Sequence, residues 1–160
     1  MKRKTLPNSV DLLDANVWLA LVAEAHHHHP RAAAYWNDEA AATAAFCRVT
    51  QLALLRHLTN KTVMGEHVLT PRGAWKKCEE FLALPEVEFL SEPPGLNEQF
   101  GDYSNLGRSS PNLWTDAYLA SFAKCGRLRL VSFDLGFRMF HGLDVLIFEP
   151  LQSRPPPLDV

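Results

Sequence analysis

The apolar positions of this chain fall into short solid runs separated by longer stretches with helical spacing. Residues 10–13 (VDLL) form the first run and stop at Asp14, as a buried strand does. Residues 16–25 (NVWLALVAEA) are helical in composition, and the histidine run His26–His29 with Pro30 breaks them. The alanine-rich stretch 31–42 predicts a second helix and 45–49 (AFCRV) a second strand. Thr50 is placed to cap the next helix, where Leu52, Leu55 and Leu58 recur at helical spacing. Thr70-Pro71 is a cap followed by proline at the first helical position, and Ala74, Trp75, Cys78, Phe81 and Leu82 then form an apolar stripe. Residues 87–90 predict a third strand, and Glu92-Pro93-Pro94-Gly95 a turn. Ser110-Pro111 repeats the cap-plus-proline signal and predicts a helix to about Lys124, closed by Gly126. Residues 128–133 and 145–148 predict the last two strands. Strands alternating with helices imply an α/β fold with a mostly parallel central sheet and helices on both faces.

At 160 residues the chain has room for one core. The expected organisation is an N-terminal lead at 1–9, a domain at 10–149 and a proline-rich, mobile tail at 150–160. The formal net charge of −2 argues against long-range attraction to a nucleic acid backbone, so any such contact must be local or assisted by a cation. Cys47, Cys78 and Cys125 are scattered and odd in number, which fits neither a disulfide framework nor a zinc site. Lys2, Arg3 and Lys4 precede no apolar run, and no apolar stretch reaches the ~20 residues that span a bilayer, so a cytoplasmic location without membrane contact is expected.

Three acids carry the candidate chemistry. Asp14 and Asp134 each follow a predicted strand, where sites form in open parallel sheets. Asp116 is the lone charge in residues 113–123 (LWTDAYLASFA), with no lysine or arginine one helical turn away. A buried carboxylate without a partner costs several kcal/mol. A divalent cation shared by the three acids is the economical partner, and hard oxygen ligands suit Mg²⁺, with Mn²⁺ able to substitute. Singly, Asp14 also fits a helix cap and Asp134 a turn.

The segments LLDANVWLAL (12–21), RVTQLALLRHLTN (48–60), VMGEHVLTP (63–71), SPNLWTDAYLA (110–120) and VSFDLGF (131–137) together resemble the VapC-type toxins of the PIN-domain ribonuclease family. The resemblance implies a three-layer α/β/α PIN-like domain, a homodimer, and a Mg²⁺-dependent endoribonuclease acting as the toxin of a type II toxin–antitoxin pair. It implies catalytic, metal-holding roles for Asp14, Asp116 and Asp134. Asn16 and Thr115, beside these acids, are candidates for supporting the metal or touching substrate. Gln51 stands where many PIN domains carry a glutamate, which leaves three carboxylates and puts a two-metal mechanism in question. Products would be 5′-phosphate and 3′-hydroxyl ends, the substrate single-stranded or loop RNA, and specificity would reside in loops such as 99–109. A cognate antitoxin protein would be the partner, with its groove placed on Trp18, Leu19, Val22, Tyr35 and Trp36.

Other features have plainer readings. The histidine run reads as a solvated helix end, favoured by the helix dipole, with adventitious nickel or zinc binding conceivable. Arg48, Arg56, Arg108 and Arg138 are candidate phosphate contacts, with Arg108 best placed just before the Asp116 helix. Trp18, Trp36, Trp75 and Trp114 read as packing residues. Two rival functions remain: a catalytically weak PIN fold serving as a protein-binding module, and an aspartyl phosphatase. The second is disfavoured because Asn16 occupies the place of that motif's second aspartate.

Overall fold

The computed structural model describes residues 6–107 and 109–149. Arg108 and the proline-rich tail lie outside the described residues. The chain order is β1 (Leu6–Leu13), α1 (Ala15–Val22), α2 (His29–Asp38), β2 (Ala41–Phe46), α3 (Arg48–Leu58), α4 (Lys61–Met64), α5 (Pro71–Leu82), β3 (Val87–Phe89), α6 (Leu96–Ser104), α7 (Leu113–Gly126), β4 (Arg129–Ser132) and β5 (Val145–Ile147).

The strands form one sheet in the order β3-β2-β1-β4-β5, and every described pairing is parallel. Successive side chains on a strand point to opposite faces. Leu13 and Val131 therefore enter a core with Trp18, Phe46 and Leu54, while Leu12 and Leu130 enter the opposite core with Leu119, Phe122 and Phe137. Two buried faces make three layers, as the alternating pattern implied. The chain builds outward from β1 to β3 on one side, then returns to lay β4 and β5 on the other. The switch point lies between β1 and β4, and crevices at such points are where open sheets bind ligands.

Asp11 on β1 is fully buried and was not singled out from sequence. It accepts from Arg129 Nε at 2.8 Å and Nη2 at 2.9 Å, from the Tyr35 hydroxyl at 2.6 Å and from Ala41 N at 2.9 Å. Arg129 Nη2 also donates to the Glu39 carbonyl at 2.9 Å. One buried carboxylate thus ties β1 to α2, β2 and β4.

Several local expectations are corrected. β1 begins at Leu6, ahead of the boundary expected at residue 10. The second helix ends at Asp38 and β2 starts at Ala41, because Ala41, Ala44 and Ala45 pack into the sheet with no exposed surface. Small residues next to a strand were read as helix formers. Thr50 is not the cap of α3: the cap is Cys47, whose backbone N–H donates to Thr50 Oγ1 at 3.0 Å. Residues 99–104, part of the 99–109 stretch expected as loop, belong to α6, with Leu96, Phe100 and Tyr103 on its packed side. The histidine run does not end a helix. It fills the turn after α1 and opens α2, where His29 Nδ1 lies 2.7 Å from the Ala20 carbonyl and the His28 ring stacks on Phe133. Burial and neighbouring histidines push His26 and His28 below the usual imidazole range. Trp18 is core, stacked on Phe46, and Trp75 and Trp114 are exposed on the single chain.

Candidate active site

Asp14 follows the last residue of β1 and caps α1. Its Oδ1 accepts from Ala15 N at 2.7 Å, and its backbone N–H donates to the Val131 carbonyl at 2.9 Å, locking it to the end of β4. Asp134 lies two residues past β4 and caps the 3₁₀ turn Leu135–Met139, its Oδ1 accepting from Gly136 N at 2.7 Å. A Cβ at Gly136 would lie 3.0 Å from that oxygen, a tight contact that would press on the Asp134 carboxylate. Asp116 sits in the first turn of α7.

The three acids, over a hundred positions apart at the extremes, come within electrostatic reach. Burial, then Asp134, then Asp14 push the Asp116 carboxyl up to about 6. Burial is also the main cause that raises Asp14, opposed by its hydrogen bonds to Ser132 and Ala15, with Asp134 adding to the rise. Among the described residues no arginine, lysine or histidine forms an ion pair with any of the three.

Ser132, the last residue of β4, joins Asp14 to Asp134 and was missed in the sequence. Its hydroxyl donates to Asp14 Oδ2 at 2.8 Å and accepts from Asp134 N at 3.0 Å and, more loosely, from Asn16 Nδ2 at 3.4 Å. It is fully buried. Its place two residues before Asp134 was the available signal. Asn16 Oδ1 is buried with no hydrogen-bond partner among the described residues. An orphaned buried oxygen is costly and marks a place for a donor or a cation.

The other candidates divide. Thr115 is exposed on the first turn of α7 beside Asp116. Gln51 is buried, but its contacts lead away from the acids: Oε1 accepts from Arg48 and Nε2 lies 3.6 Å from Cys78 Sγ on α5. Of the residues given to a partner groove, Trp18, Leu19 and Tyr35 are core and cannot line one. Val22 does open onto a cleft of about 770 Å³, whose walls include Leu58, Met64 and Leu69 and none of the acids.

All the acidic donors are hard oxygens, and with Asn16 Oδ1 they fit a Mg²⁺-like cation in kind. Among the described residues no three His, Cys, Asp or Glu side chains stand in a finished ion-gripping arrangement. Two of the acids instead spend oxygens on backbone N–H groups, Asp14 on Ala15 and Asp134 on Gly136.

The PIN-domain family model matches residues 12–142, which span β1 to the turn before β5. The chain belongs to the PIN-domain family. Within it, the relationship is to the VapC-type toxins. Ribonuclease VapC41 of Mycobacterium tuberculosis is 40% identical over 140 residues, covering 84% of this chain and 95% of the relative. Solved VapC-type PIN structures share the fold at low identity. VapC20 of M. tuberculosis, described as a sarcin-ricin loop cleaving toxin, superposes with a TM-score of 0.61 at 15% identity, covering 81% of this chain and 93% of that one. VapBC2 from Rickettsia felis, bound to a DNA fragment from their promoter, gives 0.60 at 14% identity, covering 88% and 99%.

Proposed function

We propose that this chain is a metal-dependent endoribonuclease, the toxin of a toxin–antitoxin pair. The observation that carries the proposal is the convergence of Asp14, Asp116 and Asp134, unpaired by any described cation, at the switch point of the sheet. The 40% identity with Ribonuclease VapC41 supports RNA as the substrate class. Asp14, Asp116 and Asp134 would hold Mg²⁺, or Mn²⁺ in its place, which when bound lowers the pKa of water and offsets charge on a phosphodiester.

The chain's own groups supply positioning. Ser132 fixes Asp14 Oδ2 and the Asp134 backbone at once, so the two strand-end acids keep a set separation. Asp134 helps place the cation or takes the proton of the attacking water. Hydrolysis forms the bond from water oxygen to phosphorus and breaks the bond to the 3′ oxygen, leaving 5′-phosphate and 3′-hydroxyl ends. With Gln51 turned toward Arg48 and Cys78, the site has three carboxylates, enough for one firmly held cation.

A VapB-type antitoxin as partner is supported by the likeness to VapBC2 and to VapBC-1 of nontypeable Haemophilus influenzae. Exposed Leu52 on α3 and Trp75 on α5, elements packed against each other, are suited to a homodimer face. Among the described residues no helix is long and apolar enough to cross a membrane.

The test is cleavage of structured RNA by purified protein in Mg²⁺ or EDTA. Cutting is expected only with metal and to fall by at least a hundredfold in Asp14→Ala and in Asp116→Ala. Cutting that persists in EDTA or in both variants would overturn the proposal.

A further inference from the structure

Directly beyond Asp134 the surface opens into a second cleft, of about 560 Å³. We propose that this cleft, lined by Leu106, Leu135, Gly136, Arg138, Met139 and His141, is a nucleotide subsite. It takes an unpaired base next to the phosphate held at the acids, and it rests on the nuclease proposal above.

Position comes first. The cleft and the acid site share a wall, because Gly136 lines the cleft while its N–H donates to Asp134 Oδ1 at 2.7 Å. A strand whose phosphate lies at the acids has its adjoining base within reach of that wall. The lining has the two chemistries a nucleotide needs. Leu106 and Leu135 are 41% and 53% exposed, an apolar surface that water covers poorly, and the Met139 thioether in the same lining is a soft partner for an aromatic ring. Arg138 supplies a cationic group and His141 an imidazole, and among the described residues no carboxylate lines the cleft. The one described ion pair of Arg138, to Glu149 at 3.4 Å, is long and exposed on both sides, the kind that holds a guanidinium weakly. It can turn to a phosphate, for which its planar fork is suited. Tyr103 pins the back of the cleft by donating to the His141 carbonyl at 2.6 Å. Single-stranded RNA is read by splaying out bases and stacking them. Apolar side chains beside a loosely held guanidinium favour that occupant over a protein side chain.

The experiment follows the methionine methyl signals by NMR, Met139 in the cleft and Met64 far from it serving as control. The intact protein in Mg²⁺ is titrated with a mixed-sequence, 2′-O-methylated single-stranded oligonucleotide that resists cutting. The Met139 methyl is expected to shift saturably while Met64 stays in place. Arg138→Ala is expected to weaken the titration about fivefold or more, and Leu135→Glu, at an exposed position, to abolish the shift with Met64 unchanged. No Met139 shift up to millimolar oligonucleotide overturns the subsite, as does a shift that Arg138→Ala and Leu135→Glu leave intact. A shift with an uncharged Leu-rich peptide but not with oligonucleotide overturns it in favour of a protein partner. The cleavage assay reports separately on the nuclease: a Met139 shift without metal-dependent cutting keeps the subsite and sinks the nuclease, and cutting without the shift does the reverse.

Discussion

Asp116 is the side chain whose surroundings conflict most with its charge. Its carboxyl is pushed up to about 6 from 3.8 by burial, Asp134 and Asp14. The folded protein therefore holds the proton more tightly than the unfolded chain. Without a cation, stability falls as pH rises from about 4 to 6, and the penalty is fully present above 6. Asp116→Asn removes that penalty. In EDTA at pH 7.5 the variant is expected to melt above the parent, and below pH 4 the two should converge. A gap of equal size at both pH values would contradict this origin. Ser132 belongs to the same scale, since one hydroxyl serves Asp14, Asp134 and Asn16. Groups that orient metal ligands typically matter by about 10–100-fold in affinity. Ser132→Ala should weaken Mg²⁺ binding by that order in calorimetry, with the circular dichroism spectrum unchanged.

At the scale of elements, strand ends and a helix start held in register set where the acids lie. β1 and β4 pair through Asp11↔Arg129, Leu12↔Leu130 and Leu13↔Val131, so Asp14 and Ser132 emerge side by side. The Asp11–Arg129 ion pair lies at the first of these steps and fastens both strands to α2 and β2. Removing one partner of a buried pair typically costs about 3–5 kcal/mol, because the other charge is left unmatched. Arg129→Ala is expected to lower the urea-unfolding free energy by that order. A loss under ~1 kcal/mol would mean that Tyr35 and the Ala41 amide suffice for Asp11. α7 brings the third acid by packing Leu113, Ala117 and Ala120 inward, which leaves Asp116 half-buried.

For the molecule as a whole, the three acids come from β1, α7 and the segment after β4, and only the native fold assembles them. A cation bound there stabilises the folded state alone, by roughly 2.7 kcal/mol at a hundred times its Kd. The melting temperature should therefore rise with Mg²⁺ and return to baseline with EDTA, and this response should vanish in Asp14→Ala. A rise that survives in that variant would place the cation elsewhere. Much of the fold was legible in the chain because period and punctuation are local properties. Solid runs ending at Asp14 and Ser132–Asp134 announced strands, and Thr70-Pro71 announced α5. Where local signals were neutral they misled: Ala41 and Ala42 read as the end of a helix but open β2, and α6 starts from Gly95 in a left-handed conformation without a polar cap. The acid trio was legible by residue type and position, since a lone carboxylate in an apolar run demands a partner. What the sequence by itself determined was the alternation of elements and which acids are candidates for the site. The tertiary structure alone decided that Ser132 bridges Asp14 and Asp134, that Asp11 pairs with Arg129 across the sheet, and that Gln51 meets Arg48 and Cys78. Periodicity reports which face a residue takes, whereas these contacts join residues far apart in the chain and exist only once strand order is set.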